Sequence, residues 1–138
     1  SLELKAKENK ITLRFAENYS NEILVSCDKD KIGQVMQNLI INAIKYSDPN
    51  TELVVRFTDV ERNILIEIED NGPGIDEKHI SRLFERFYRV DKSRARNEGG
   101  TGLGLSIVKH IIEAHGHTVQ VRSKEGEGSN FFFTLTKI

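Results

Sequence analysis

The apolar residues of this chain change their period repeatedly, and that alternation restricts the fold more than any other feature. Ile11, Leu13 and Phe15 alternate with Thr12 and Arg14, the period of a half-buried strand. From Asp28 to Tyr46 the period lengthens. Ile32, Val35, Met36, Leu39, Ile40 and Ala43 recur three and four residues apart, which predicts an amphipathic helix. Asp28 or Asp30 can cap its start, and Ser47-Asp48-Pro49-Asn50 ends it. Leu53, Val55 and Phe57, then Ile64, Ile66 and Ile68, alternate on either side of Glu61-Arg62-Asn63, an antiparallel hairpin. Ile80, Leu83, Phe84 and Phe87 predict a helix over Glu77 to Phe87. Leu105, Ile107, Val108, Ile111 and Ile112 predict another over Leu103 to Ala114, stopped by Gly116. Val119 and Val121, then Phe131, Phe133 and Leu135, make a last hairpin around Gly126 and Gly128. Ile23 to Val25 reads as a short strand, the first nine residues as the end of a helix, and Arg86 to Gly102 as a mobile loop. Strand, helix, hairpin, helix, loop, helix and hairpin describe an α+β domain with helices on one face of a sheet.

The composition narrows what such a domain can do. A chain of 138 residues is one domain's length, and it carries no repeat or linker. A net charge of −1 disfavours a domain that binds nucleic acid over its whole surface. The single Cys27 excludes an internal disulfide and a cysteine-based zinc site. No apolar run approaches the roughly 20 residues of a membrane span. The glycines are unevenly spread: nine of the 10 lie after residue 70, and four fall between Gly99 and Gly104.

Three segments carry chemistry. On the long helix, Asn38, Asn42 and Lys45 fall within an arc of roughly 60° at the border of the apolar stripe. Asparagine disfavours helix interiors, so this is either a solvated edge or a set of oxygen and nitrogen donors for a hard cation and phosphate. Asp70-Asn71-Gly72-Pro73-Gly74-Ile75 puts a carboxylate at the tip of an isoleucine-rich strand, before glycines that permit positive φ. That is either a plain turn or a pocket in which a carboxylate accepts from an exocyclic amine. Gly99-Gly100-Thr101-Gly102-Leu103-Gly104-Leu105 leads into a helix whose free N–H groups suit a phosphate. It lacks the Lys-Ser/Thr of a P-loop, and neither it nor Gly72/Gly74 has the third glycine of a dinucleotide fold. Arg86, Arg89, Lys92, Arg94 and Arg96 lie just before it, either a solvated run or a neutraliser of polyphosphate. His79, His110, His115 and His117 read as structural, with His115 placed to cap a helix end.

Together these segments resemble sensor histidine kinases. Asn38-Leu-Ile-Ile-Asn42-Ala-Ile-Lys45-Tyr46-Ser47 is similar to their N box, and Asp70 to Ile75 to their G1 box. Phe84-Glu-Arg-Phe87-Tyr88-Arg89-Val-Asp resembles their F box, Gly100 to Leu105 their G2 box, and Gly126-Glu-Gly128-Ser129 their closing turn. The Phe87 to Arg94 stretch resembles that of phosphate-sensing kinases. The resemblance covers nearly the whole chain. It implies the Bergerat ATP-binding fold, a two-layer sandwich with a mixed, roughly five-stranded sheet backed by about three helices, and ATP under a flexible lid.

By that resemblance Asn42 is the Mg²⁺ ligand, Asn38 sits near the triphosphate, Lys45 bonds phosphate and Tyr46 packs on the nucleotide ring. Asp70 accepts the adenine amino group, with Gly72, Gly74 and Ile75 shaping its pocket. Tyr88, Arg89 and Lys92 approach from the lid, Arg89 together with Asn38 and Lys45 acting on the phosphates during transfer. Gly100, Thr101, Gly102, Leu103, Gly104 and Leu105 supply the phosphate-side backbone. Ser129 stands where the family usually has Thr, and its water-mediated adenine contact carries over less firmly. His117 replaces a frequent glycine, a change expected to alter only a turn.

Related ATPases of the superfamily place a Glu one helical turn before the Mg²⁺ asparagine to activate water. Here that position is Asn38, and a neutral amide is no general base. This favours transfer to a protein acceptor over hydrolysis. No histidine of the chain sits in the family's His-Glu-Leu/Ile-Arg acceptor motif. The expectation is a catalytic and ATP-binding domain over residues 1–138, unable to phosphorylate itself. Its partners would be its own helical dimerisation domain and a response regulator. The setting would be the cytoplasmic side of a membrane-anchored bacterial kinase. A nucleotide-dependent interaction module and an anti-sigma-type serine kinase are the alternatives.

Overall fold

The computed structural model describes residues 7, 11–15, 24–88 and 103–138. Five strands form one mixed sheet: β1 (Thr12–Phe15), β2 (Glu52–Val60), β3 (Asn63–Asp70), β4 (Val119–Lys124) and β5 (Gly128–Thr136), in the order β1-β2-β3-β5-β4. β1 runs parallel to β2, and the other pairs are antiparallel. Three helices accompany the sheet among the described residues: α1 (Lys29–Tyr46), α2 (Glu77–Ile80) and α3 (Gly104–Ala114). The α+β architecture and the five-stranded mixed sheet match the expectation.

Register explains where the core lies. Phe57, Ile66, Phe133 and Val119 form one row across β2, β3, β5 and β4, and Val55, Ile68, Phe131 and Val121 form the next. These rows share a sheet face, because side chains two apart on a strand point the same way. They meet Val35, Leu39, Ile40, Ala43 and Ile44 of α1 and Val108, Ile111 and Ile112 of α3 in a single apolar cluster. The opposite face carries charge, with Arg56 beside Glu67 and Glu69, Asn130 donating to Glu67 at 2.8 Å, and Arg122 over the Phe132 ring.

The helix ends are made by local chemistry. Asp28 is the cap of α1, its Oδ1 accepting from the N–H groups of Asp30 and Lys31 at 3.1 Å. Gly116, at φ +80°, closes α3 with a pair of backbone bonds, from its own N–H to Glu113 and from His117 N–H to Ile112. His115 fastens the two helices together. Its Nδ1–H donates to the Ile111 carbonyl at 2.8 Å, which leaves Nε2 to accept from Asp28 N–H at 3.0 Å. The helix-end role expected of His115 is therefore met, with a second bond across to α1.

Three sequence expectations are corrected. The helix expected over Glu77 to Phe87 is α2, four residues long, followed by turns. Arg82, Leu83, Glu85 and Tyr88 each donate to the carbonyl three residues earlier. Leu83 is buried and Phe84 meets Phe131 edge-on at 6.2 Å, but Phe87 breaks away at φ +66° and is 65% exposed. Val25 makes a single bridge to Lys137 rather than a strand, and Ile23 lies outside the described residues. His117 does more than shape a turn: its ring bonds Thr134 at 2.8 Å and Thr136 at 3.0 Å on β5. Of the first nine residues only Lys7 is described, and it is helical. The loop expected over Arg86 to Gly102 is described only as far as Tyr88.

Candidate functional site

One row beyond Val55, Ile68, Phe131 and Val121, the helix-facing side of the sheet turns polar. The register there joins Leu53, Asp70, Ser129 and Ser123. An apolar ladder that ends in a carboxylate and two hydroxyls on its buried side is an expensive arrangement unless those groups are satisfied. They are. Asp70 Oδ1 accepts from Gly72 N–H at 3.0 Å, and the carboxylate also takes the Ser129 N–H. Burial holds the Asp70 carboxyl above its ordinary pKa, with the two N–H groups opposing the rise and Glu69 adding to it. Ser129 is only 7% exposed, and its Oγ lies 2.7 Å from Ser123 Oγ.

Glycines make this row possible. A Cβ on Gly128, at φ +109°, would lie 2.0 Å from the Asp70 carbonyl oxygen, and a Cβ on Gly74, at φ +76°, would lie 2.2 Å from that of Lys124. Gly72 sits against both the Asp70 carboxylate and Ser47, the residue that ends α1. The loop after Asp70 is thus wedged between the end of α1 and the β4–β5 turn. Gly126 N–H donates to Pro73 at 2.8 Å, and Ile75 N–H donates to Ser123 Oγ at 2.8 Å. At the rim Asp76 caps α2 through Lys78 N–H, which lowers its pKa, and shares a hydrogen bond with Glu125, whose pKa that contact raises.

An open cleft runs along this end of the sheet, with Asp70, Ile75, Ile80, Val121, Ser123 and Ser129 in its wall. Asp70, Ile75 and Ser129, each expected in a site, are thus brought together. Asn38, Asn42, Lys45 and Tyr46 lie on α1, all half-buried along the border of its apolar stripe, outside the lining of that cleft. Leu103 precedes α3, Gly104 opens it, and Leu105 packs partly against the core. Among the described residues nothing lies within 4 Å of where a Gly104 Cβ would be. Tyr88 is turned to a different task, its hydroxyl bonded to His79 Nδ1 and its ring 4.4 Å from the Arg82 guanidinium. Arg89, Lys92, Gly100, Thr101 and Gly102 lie outside the described residues. Ser123 is the residue that sequence reasoning missed. Its only signal is a polar residue in phase with Val119 and Val121.

The family described as histidine kinase-, DNA gyrase B- and HSP90-like ATPase matches residues 27–137. The chain belongs to that family. Sensor kinases are among its relatives. The sensor protein SrrB of Staphylococcus aureus (strain NCTC 8325 / PS 47) is 38% identical over 136 residues, 99% of this chain and 23% of the relative. The chain therefore spans less than a quarter of the curated relatives it matches. The catalytic domain of histidine kinase ThkA superposes with a TM-score of 0.81 at 31% identity, covering 99% of this chain and 85% of that one. Full-length ShkA, solved with AMPPNP, superposes with a TM-score of 0.83 at 25% identity, covering 99% of this chain and 28% of that one. This is a histidine kinase ATP-binding domain of the two-component type. Among the described residues no helix is long and apolar enough to cross a membrane.

Proposed function

We propose that this domain binds ATP with Mg²⁺ and delivers the γ-phosphoryl group to a histidine on a separate helical dimerisation domain of a two-component sensor kinase. The observation that carries the reading is the row Asp70–Ser129–Ser123, a satisfied carboxylate and hydroxyls at the end of an apolar sheet face. Such a wall suits a flat ring with an exocyclic amine. Asp70 accepts that amine, Gly72 and Gly74 bring the backbone close, and Ile75 flanks the ring. The AMPPNP complex of ShkA supports the nucleotide, and the complex of ThkA with the response regulator TrrA supports a response regulator as downstream partner.

The phosphates lie toward α1 and the start of α3 in this reading. Lys45 and the lid residues Arg89 and Lys92 supply positive charge, and Tyr46 borders the nucleotide. Gly100, Thr101, Gly102, Leu103, Gly104 and Leu105 bring backbone N–H groups to the phosphates. The open space at Gly104 supports this, since packing alone does not require a glycine there. The donor set of α1 fits Mg²⁺: an amide oxygen from Asn42, with Asn38 one turn away, offers a hard oxygen ligand and leaves the remaining positions to phosphate and water. Bound there, Mg²⁺ would neutralise phosphate charge. The chain's own work is positioning and charge complementarity, which suffices for phosphoryl transfer. Asn38 offers no base to a water, so the acceptor is a protein group.

Calorimetric titration with ATP tests the reading. Asp70→Ala should abolish detectable binding. Asn42→Ala should bind ATP with affinity that no longer depends on Mg²⁺, and a wild-type Mg²⁺ dependence in that variant would remove Asn42 from the metal site. Acid-labile label from γ-phosphate ATP should appear on the helical domain added in trans and not on this chain alone.

A further inference from the structure

Among the described residues Ser123 Oγ has three polar neighbours: the Ile75 N–H at 2.8 Å, the Gly128 carbonyl oxygen at 3.0 Å and Ser129 Oγ at 2.7 Å. A hydroxyl has one proton and two lone pairs. The Ile75 N–H can only donate, and the Gly128 carbonyl can only accept. Ser123 therefore gives its single proton to Gly128 and takes the Ile75 proton in one lone pair. The contact with Ser129 is then favourable in one sense only, with Ser129 donating. The opposite sense would leave Ser123 Oγ and the Gly128 oxygen facing each other with no proton between them. Ser129 is thereby left with lone pairs alone to offer outward. Its neighbour across the β3–β5 pair is Asp70, an acceptor when ionised.

We propose that Ser123 is a positioning residue for base recognition, holding Ser129 Oγ as a hydrogen-bond acceptor beside the Asp70 carboxylate. The inference rests on the adenine-nucleotide reading above and adds the direction of each proton. The Asp70 carboxylate takes the exocyclic amine of the base. Ser129 takes one proton of a water, and that water gives its other proton to the unprotonated ring nitrogen next to the amine. A base with an acceptor at the amine position meets the carboxylate lone pairs instead, so the row selects an aminopurine. Ser123 touches neither base nor water. It acts by fixing the Ser129 proton.

A double-mutant cycle on ATP affinity tests this, with Ser123→Ala, Ser129→Ala and the pair together, read by calorimetry. Each single substitution should weaken binding about fivefold, the loss of one neutral hydrogen bond. The pair should be no weaker than Ser129→Ala, because the second change acts through a hydroxyl already gone. Ser123→Thr keeps the oxygen in a residue that suits a strand, and should bind as the wild type does. A second readout is an ATP analogue with CH in place of the ring nitrogen beside the amine. It should cost the wild type about fivefold and Ser123→Ala nothing. Additive losses would make Ser123 a structural staple only, and unchanged affinity in Ser123→Ala would remove it from recognition. If the wild type itself binds no ATP, the nucleotide reading falls and this proposal with it, an outcome legible from the wild type alone.

Discussion

The two sides of the proposed site are built on opposite principles. On the sheet side the groups proposed to recognise the base are already held by the protein's own contacts. Asp70 is fixed by Gly72 and Ser129 N–H groups, Ser129 by Ser123, and the loop by glycines in backbone conformations that other residues resist. On the helix side Asn38, Asn42 and Lys45 stand at the half-buried border of α1, and Gly104 opens α3 with room around it. The first side fits a rigid, uncharged ring whose edge must be matched atom by atom. The second fits a flexible polyanion, for which charge and accessible N–H groups matter more than fixed contacts.

The strongest test of this contrast is a pair of identical substitutions. Gly128→Ala puts a methyl group 2.0 Å from the Asp70 carbonyl at φ +109°, and should cost about 3 kcal/mol or more in urea denaturation. ATP binding should be lost with it. An Asp70→Asn substitution comes next and separates recognition from stability. The amide keeps an oxygen for Gly72 N–H but gives up the charge, so ATP affinity should fall about 10- to 100-fold.

Stability should move the other way. The carboxyl's folded pKa is raised by burial, so the stability of the protonated form is fully present below the unfolded value of 3.8 and is lost as pH rises through the folded value. Denaturation curves above that range should therefore show Asp70→Asn as stable as the wild type or more so. An Asn variant clearly less stable at neutral pH would overturn the view that the carboxylate is held at a cost to the fold. The smallest effect on folding is Gly104→Ala. It meets open space, so stability should rise by about 0.5 kcal/mol while nucleotide affinity falls. A Gly104→Ala protein as damaged as Gly128→Ala would erase the distinction between the two sides.

Periodicity made the strands and the two long helices legible, because a face of β-branched and aromatic residues can be read from one segment alone. Where it misled, the cause is specific. Turns closed by bonds to the third preceding carbonyl place side chains at nearly the spacing of an α-helix, so Ile80, Leu83 and Phe84 look helical through residues that are not. Only the positive φ of Phe87 breaks the pattern, and no composition rule announces it for a phenylalanine. Asp70 was legible as a polar end to an apolar strand. Ser123 was not, since its meaning comes from register. A serine on β4 matters because it falls opposite Ser129, which falls opposite Asp70, and the second of those pairings joins residues far apart in the chain.

The bond between His115 and Asp28 bears on motion as well as packing. It pins the far end of α3 to the start of α1, while the near end, at Gly104, is the one proposed above to face the phosphates. An 11-residue helix is about 16 Å long, so a tilt of about 10° around that pin would sweep Gly104 through about 3 Å and barely move His115. If the proposed phosphate side is right, the imidazole would be the fulcrum of such a lever and the phosphate the load at its free end.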